Sequence, residues 1–174
     1  MNPPRTFKEK FIVWLAEGFG IGRAPYAPGT FGTLLGFPWI GLLMLPRSET
    51  LYILGLAIGF FAAVWIGGRA ERITGLHDPG RFVIDEIVAM PLVFLPVILV
   101  GQAPPTFQSL MNVQRGWVFA LAFALFRIFD ISKPFPAGIS QRLPCGWGLV
   151  IDDMIAAGYA ALLVWLGISL VPGF

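Results

Sequence analysis

Apolar residues gather in five long runs, at 31–45, 51–67, 87–100, 117–131 and 155–171, parted by short stretches that hold most of the charge. Each run reads as a helix that enters or crosses a bilayer. The second and fifth reach 17 residues, the lower edge for a spanning helix. The first is shorter and carries Gly32, Gly36, Pro38 and Gly41, so it is kinked, tilted or incompletely spanning. Five spans is the expected count, with four as the alternative. Small residues recur as Gly55 and Gly59, or Ala156 and Ala160, which lets helix backbones approach closely in lipid.

Ahead of the runs, Phe7, Phe11 and Leu15 fall at i, i+4 and i+8, with Ile12 and Trp14 beside them and Lys8 and Lys10 off the stripe. The segment 6–17 therefore predicts an amphipathic helix, lying in the membrane interface or packed on the bundle. Its apolar stretch 11–16, flanked by Glu9 and Glu17, is too short for a signal peptide. The expected fold is all-α: an integral membrane helical bundle plus an N-terminal interfacial helix, one domain over residues 1–174.

Composition agrees with a bilayer environment. The chain is 56% apolar and 13% charged, where soluble domains average about 25% charged. The net charge is only +2, and no basic stripe is interleaved with aromatics, which sets nucleic acid aside. Cys145 is the one cysteine, so no intramolecular disulfide can form.

Charge then orients the bundle. With the N-terminus cytoplasmic, Arg5, Lys8, Lys10, Arg23, Arg69, Arg72, Arg81, Lys133 and Arg142 fall inside, and only Arg47 and Arg115 outside. That asymmetry fixes a multi-pass topology with a cytoplasmic N-terminus. The acids follow the same side although acids contribute little to topology. Glu49 alone is outside, while Asp85, Glu86, Asp130, Asp152 and Asp153 sit at the cytoplasmic ends of three runs.

Depth makes these acids informative. The apolar stretch 117–126 spans roughly 15 Å as a helix, against a hydrocarbon core about 30 Å thick. Arg127 and Asp130 are then submerged in the inner leaflet, with Asp85 and Glu86 slightly so and Asp152 and Asp153 near the boundary. A charge deep in the bilayer costs on the order of 3 kcal/mol. A paired cation or a divalent metal relieves that cost and the mutual repulsion together. Oxygen donors without a Cys or His cluster suit Mg²⁺ or Mn²⁺ rather than Zn²⁺. Each acid also has a plainer reading: Asp152 or Asp153 as a helix cap, Asp130 as the i+3 partner of Arg127.

Two further features touch the same end. Pro91 and Pro96 each remove a helix hydrogen bond, and a bend there could open a cleft beside Asp85 and Glu86. The loop 18–30, GFGIGRAPYAPGT, ends in Thr30 just before an apolar helix. Backbone N–H groups at a helix start bind phosphate, and Arg23 adds positive charge. Thr30 is otherwise a simple N-cap. Lys133 either contacts a phosphate or snorkels to the interface.

The segments GFGIGRAPYAPGTFGTL (18–34), HDPGRFVIDEIVAM (77–90), FRIFDISKPFP (126–136) and GWGLVIDDMIAAG (146–158) together resemble the bacterial phosphatidylglycerophosphatase A family, in order and spacing, over most of the chain. The resemblance implies Mg²⁺-dependent removal of the terminal phosphate of phosphatidylglycerophosphate, at the cytoplasmic face of the bacterial inner membrane. It maps the family's motif carboxylates onto Asp85, Glu86, Asp130, Asp152 and Asp153 as metal ligands. Arg127 and Lys133 map onto its FRxxDxxKP pattern. Arg127, Asp130 and Lys133 are the expected catalytic residues, and Arg23, Thr30, Arg127 and Lys133 the expected phosphate-binding ones. Asp130 could serve as general base or as nucleophile. Two rivals are weaker. A CDP-alcohol transferase would need a DGxxAR…GxxxDxxxD pattern that the chain lacks. An ion transporter would need polar residues through the outer halves of the helices, which are almost uniformly apolar.

Overall fold

The structure, a computed structural model, describes residues 6–100, 106 and 116–171. Among these, every regular element is helical. Arg5 and Arg115, both used in the charge count, and the C-terminal residues 172–174 lie outside the described residues.

Helix α1 (Phe7–Ala16) starts with a capping box: Glu9 N–H donates to the Thr6 hydroxyl at 3.3 Å, and Thr6 N–H donates to Glu9 Oε2 at 2.7 Å. Its packed face differs from the expected stripe. Val13 and Ala16 are buried against the bundle, with Ile12 beside them, while Phe7, Phe11 and Trp14 point outward. The helix thus packs on the bundle and presents aromatics to its surroundings.

A 3₁₀ turn (Ile21–Arg23) leads to α2 (Pro28–Met44), then α3 (Glu49–Thr74), α4 (Ile84–Leu99), α5 (Trp117–Ser132), the short α6 (Ala137–Ser140) and α7 (Trp147–Ser169). Helix α4 is central, packing against α2, α3, α5 and α7. Ala89, Met90, Val93, Phe94 and Val97 are buried there. Both prolines lie within one continuous helix. The Tyr52 hydroxyl of α3 donates to the Pro91 carbonyl at 2.8 Å.

Small residues set how closely helices meet. A Cβ on Gly32 of α2 would lie 2.7 Å from Val83 Cβ, and one on Gly36 would collide with Met90. Ala156, Ala157 and Ala160 bring α7 into the same core. Gly146 precedes α7 at φ 82°. A side chain there would strike the Val64 carbonyl and the Gly68 backbone, so the α3–α7 junction requires glycine.

The boundaries correct several expectations. The fifth run is helical from Trp147, not 155, so Asp152 and Asp153 lie in the second turn and neither caps the helix. Position 146 takes the cap, because a left-handed glycine there turns the chain into the helix. Ala27, not Thr30, occupies the N-cap position of α2, since Pro28 already has its φ fixed for the first helical residue. Helices α3 and α7, at 26 and 23 residues, are long and apolar enough to cross a membrane. Helices α2, α4 and α5 have 17, 16 and 16 residues, about 24–26 Å, less than a core about 30 Å thick. Two spans are therefore evident by length, not five. Outward-facing Ile58, Phe61 and Trp65 on α3, and Leu162, Trp165 and Leu166 on α7, leave large apolar surface uncovered by protein.

Candidate active site

The three acidic segments converge where α4 begins, α5 ends and α7 completes its first turns. Asp85 and Glu86 occupy the first turn of α4, where the helix dipole favours negative charge. Asp130 sits in the last turn of α5, where the dipole opposes it. Asp85, Glu86, Asp130, Asp152 and Asp153 are all buried, none more than 9% exposed.

Two cations reach this group. Arg127 Nη1 donates to Asp130 Oδ2 at 2.6 Å and to the Thr33 hydroxyl at 3.5 Å, and it stands 3.8 Å from Glu86 Oε1. The Lys133 ammonium pairs with Asp152 Oδ2. Helix α2 makes room for both Glu86 and Arg127: a Cβ on Gly29 would run into Glu86 Oε1 and lie 3.0 Å from Arg127 Nη1.

This pairing separates the adjacent acids. Asp152 turns to Lys133, whereas Asp85, Glu86 and Asp153 each bring a carboxylate oxygen to within 4.8 Å of the others. Asp130 belongs to the same neighbourhood, its carboxyl group meeting that of Asp153. Glu86 Oε2, Asp152 Oδ1 and Asp153 Oδ2 are buried acceptors without a hydrogen-bond partner among the described residues. Buried acceptors are rarely left so, because losing water without a replacement costs about 1–3 kcal/mol each. Four carboxylates facing one guanidinium leave excess negative charge, and every donor atom is a hard oxygen. A small divalent cation such as Mg²⁺ fits this set, and a thiolate- or imidazole-seeking ion does not.

The other expected phosphate contacts fare differently. Arg23 is mostly exposed and donates to Glu17 Oε2 at 2.7 Å. Arg81 approaches the other oxygen of Glu17 at 3.5 Å. No contact joins Arg23 to the carboxylate group among the described residues. Thr30 is half-buried in the first turn of α2, its N–H donating to the Ala27 carbonyl. Thr33, one turn on, is the residue whose hydroxyl reaches Arg127, and it was missed in the sequence. The repeated Gly-Thr at 29–30 and 32–33, with Gly36 on the same face, is the signal that marks this close-packed side of α2.

Glu71 was also missed. From α3 it accepts from Gly146 N–H at 2.9 Å and Asp78 N–H at 3.0 Å, and it meets His77 Nδ1 at 2.8 Å. It thereby ties the start of α7 to the loop before α4, the two segments that carry the acids. His77 Nε2 lies 3.1 Å from the Gln141 carbonyl. That hydrogen bond raises the imidazole above its ordinary pKa, slight burial opposes it, and the charges of Glu71 and Asp78 add to the rise. A raised folded-state value means the tie stabilises fully below about pH 6.5 and fades as pH climbs through the folded-state pKa. The thermal midpoint of the wild type should therefore drop between pH 6 and pH 8 by more than that of His77→Gln. Equal drops in both proteins would refute this role for His77.

Comparison with known proteins gives the class: this chain is an enzyme, a lipid phosphate monoester hydrolase. It belongs to the phosphatidylglycerophosphatase A family, whose sequence model matches residues 14–168. A phosphatidylglycerophosphatase A of Haemophilus influenzae is 36% identical over 87% of this chain and 85% of its own length. That of Escherichia coli K12 is 33% identical over 88% and 81%. A protein of Bacteroides thetaiotaomicron with the provisional name phosphatidylinositol-3-phosphatase is 35% identical over 87% and 90%. No solved structure matches the chain.

Proposed function

We propose that the protein hydrolyses the terminal phosphate of phosphatidylglycerophosphate, giving phosphatidylglycerol and phosphate, at the cytoplasmic leaflet of a bacterial inner membrane. What carries this reading is the convergence of three unpartnered buried carboxylate oxygens with Arg127 and Lys133 in a chain of this family. The five-span topology is part of the proposal. Helices α2, α4 and α5 are apolar but short, and the acidic ends of α4 and α5 would sit beneath the headgroups, within reach of a lipid phosphate.

Asp85, Glu86 and Asp153 would hold Mg²⁺, with Asp130 and the unpaired oxygen of Asp152 completing the set. Bound there, Mg²⁺ supplies charge neutralisation and acidifies a water ligand. The chain's own residues do the rest. Arg127 and Lys133 hold the phosphate oxygens and offset the charge that builds on them, the main contribution proteins make to phosphoryl transfer. Arg127 keeps the Asp130 carboxylate in place, so that it can take a proton from the attacking water. The water oxygen bonds to phosphorus as the P–O bond to glycerol breaks, the proton taken up by Asp130 passes to the leaving oxygen, and the freed alcohol stays with its lipid.

The purified protein in detergent, given phosphatidylglycerophosphate with Mg²⁺, should release phosphate, and excess chelator should stop it. No Mg²⁺-dependent release would sink the proposal. Phosphatidylinositol 3-phosphate belongs in the same assay, because the Bacteroides relative carries that substrate in its name. A higher kcat/KM on the inositol lipid would transfer the substrate assignment to it.

A further inference from the structure

Beside the carboxylate group lies a second polar space that the hydrolytic step does not use. An open recess of about 540 Å³ is lined by His77, Asp78, Gly138, Gln141 and Arg142. Its wall adjoins the reactive centre: a Cβ on Gly138 would sit 3.2 Å from the Lys133 carbonyl, and the Lys133 ammonium pairs with Asp152. Asp78 is close enough for its charge to act on Asp85, Lys133 and Asp152. The recess and the phosphate-holding residues are thus neighbours across Lys133.

The lining is held in position. Glu71 accepts the Asp78 N–H, which fixes an aspartate at φ 43°, and Gln141 Nε2 donates to Asp78 Oδ2 at 3.1 Å. Oδ1 of Asp78 has no hydrogen-bond partner among the described residues, nor has Arg142 an acidic partner there. An oriented acceptor and an exposed guanidinium, a short way from a phosphomonoester site, match a hydroxylated spacer followed by a second phosphate.

We propose that this recess is the headgroup subsite. Asp78 and Gln141 hydrogen-bond the free hydroxyl of the headgroup glycerol, and Arg142 pairs with the phosphodiester that links it to diacylglycerol. The inference rests on the function proposed above and names the residues that select its substrate. A phosphomonoester attached directly to diacylglycerol, as in phosphatidic acid, has neither group and gains nothing from the recess.

Arg142→Gln in the full chain is the clean variant, because Arg142 is exposed and its removal leaves no buried group unpaired. With phosphatidylglycerophosphate in micelles, KM should rise about tenfold, the size expected for losing one charge-assisted contact, while kcat stays within about twofold. Hydrolysis of phosphatidic acid should not change. Asp78→Asn should raise KM in the same way, with the thermal midpoint measured to separate binding from folding. An unchanged KM for Arg142→Gln, or equal losses on both lipids, overturns the subsite. If the wild type does not act on phosphatidic acid, the KM comparison decides alone. A wild type that releases no phosphate from phosphatidylglycerophosphate defeats the proposed function instead.

Discussion

Asp153→Asn should lower phosphate release about a thousandfold, yet make the metal-free protein harder to unfold. Asp153 is buried, and its carboxylate shares a space less than 5 Å across with those of Asp85 and Glu86. Like charges this close oppose folding when no cation is present. Replacing one of them with a neutral amide of the same shape relieves on the order of 1 kcal/mol, or about 2–4 °C in thermal midpoint for a chain of this size. Mg²⁺ should stabilise the wild type as well, adding about 2.7 kcal/mol at a hundred times its dissociation constant. The variant should lose most of that increment. Thermal unfolding in detergent with Mg²⁺ and with chelator, alongside the phosphate assay, reads both effects. A variant that keeps the full Mg²⁺-induced shift would remove Asp153 from the metal group.

Arg127→Ala should be the most destabilising substitution at the centre. The guanidinium is only 18% exposed and touches groups from three helices: Asp130 on its own helix, Thr33 on α2 and Glu86 on α4. Stripping one partner from a buried ion pair costs about 3–5 kcal/mol, because the remaining charge stays buried. Activity should fall by about 10²–10³ as well, through loss of charge stabilisation on the phosphate. Arg127→Lys restores the charge but not the rigid, planar set of donors that a guanidinium offers, so it should recover stability more than rate. Denaturation midpoints and kcat for the three proteins check this. If alanine and lysine variants unfold alike, charge at this position is not what holds the helix ends together.

Some of this site could be read before the structure and some could not, for identifiable reasons. The helix expected at 117–131 is Trp117–Ser132, since a mostly apolar run, broken by Arg127 and Asp130, ends at Lys133 in a left-handed turn. The i, i+3 spacing of Arg127 and Asp130 foretold their ion pair. The start of α7 was hidden because Asp152 and Asp153 interrupt the apolar pattern although the backbone stays helical through them. Which acid of that pair faces α4 was not legible either. Neighbouring side chains on a helix point about 100° apart, and only the packed position of α7 sends Asp152 to Lys133 and Asp153 to Asp85 and Glu86. In the sequence Glu71 is one of the acids on the cytoplasmic side, with nothing to set it apart. It is structural because α3 runs to Thr74, several residues beyond the expected end at 67, and carries it in among buried groups. Arg23 looked like a phosphate ligand, and a contact between residues six apart, with Glu17, draws it elsewhere.

The lengths of α2, α4 and α5 bear on the membrane itself. On the five-span reading, helices of 16 and 17 residues sit in a film that would rather be several ångströms thicker, and lipids at such a boundary compress. The pinched film would bring the headgroups nearest the protein down toward α4 and α5, shortening the descent of a phosphate to Arg127 and Lys133. Turnover should then vary with acyl-chain length in reconstituted vesicles even though no acyl carbon takes part in the reaction, and the surrounding lipid becomes a mechanical component of the enzyme.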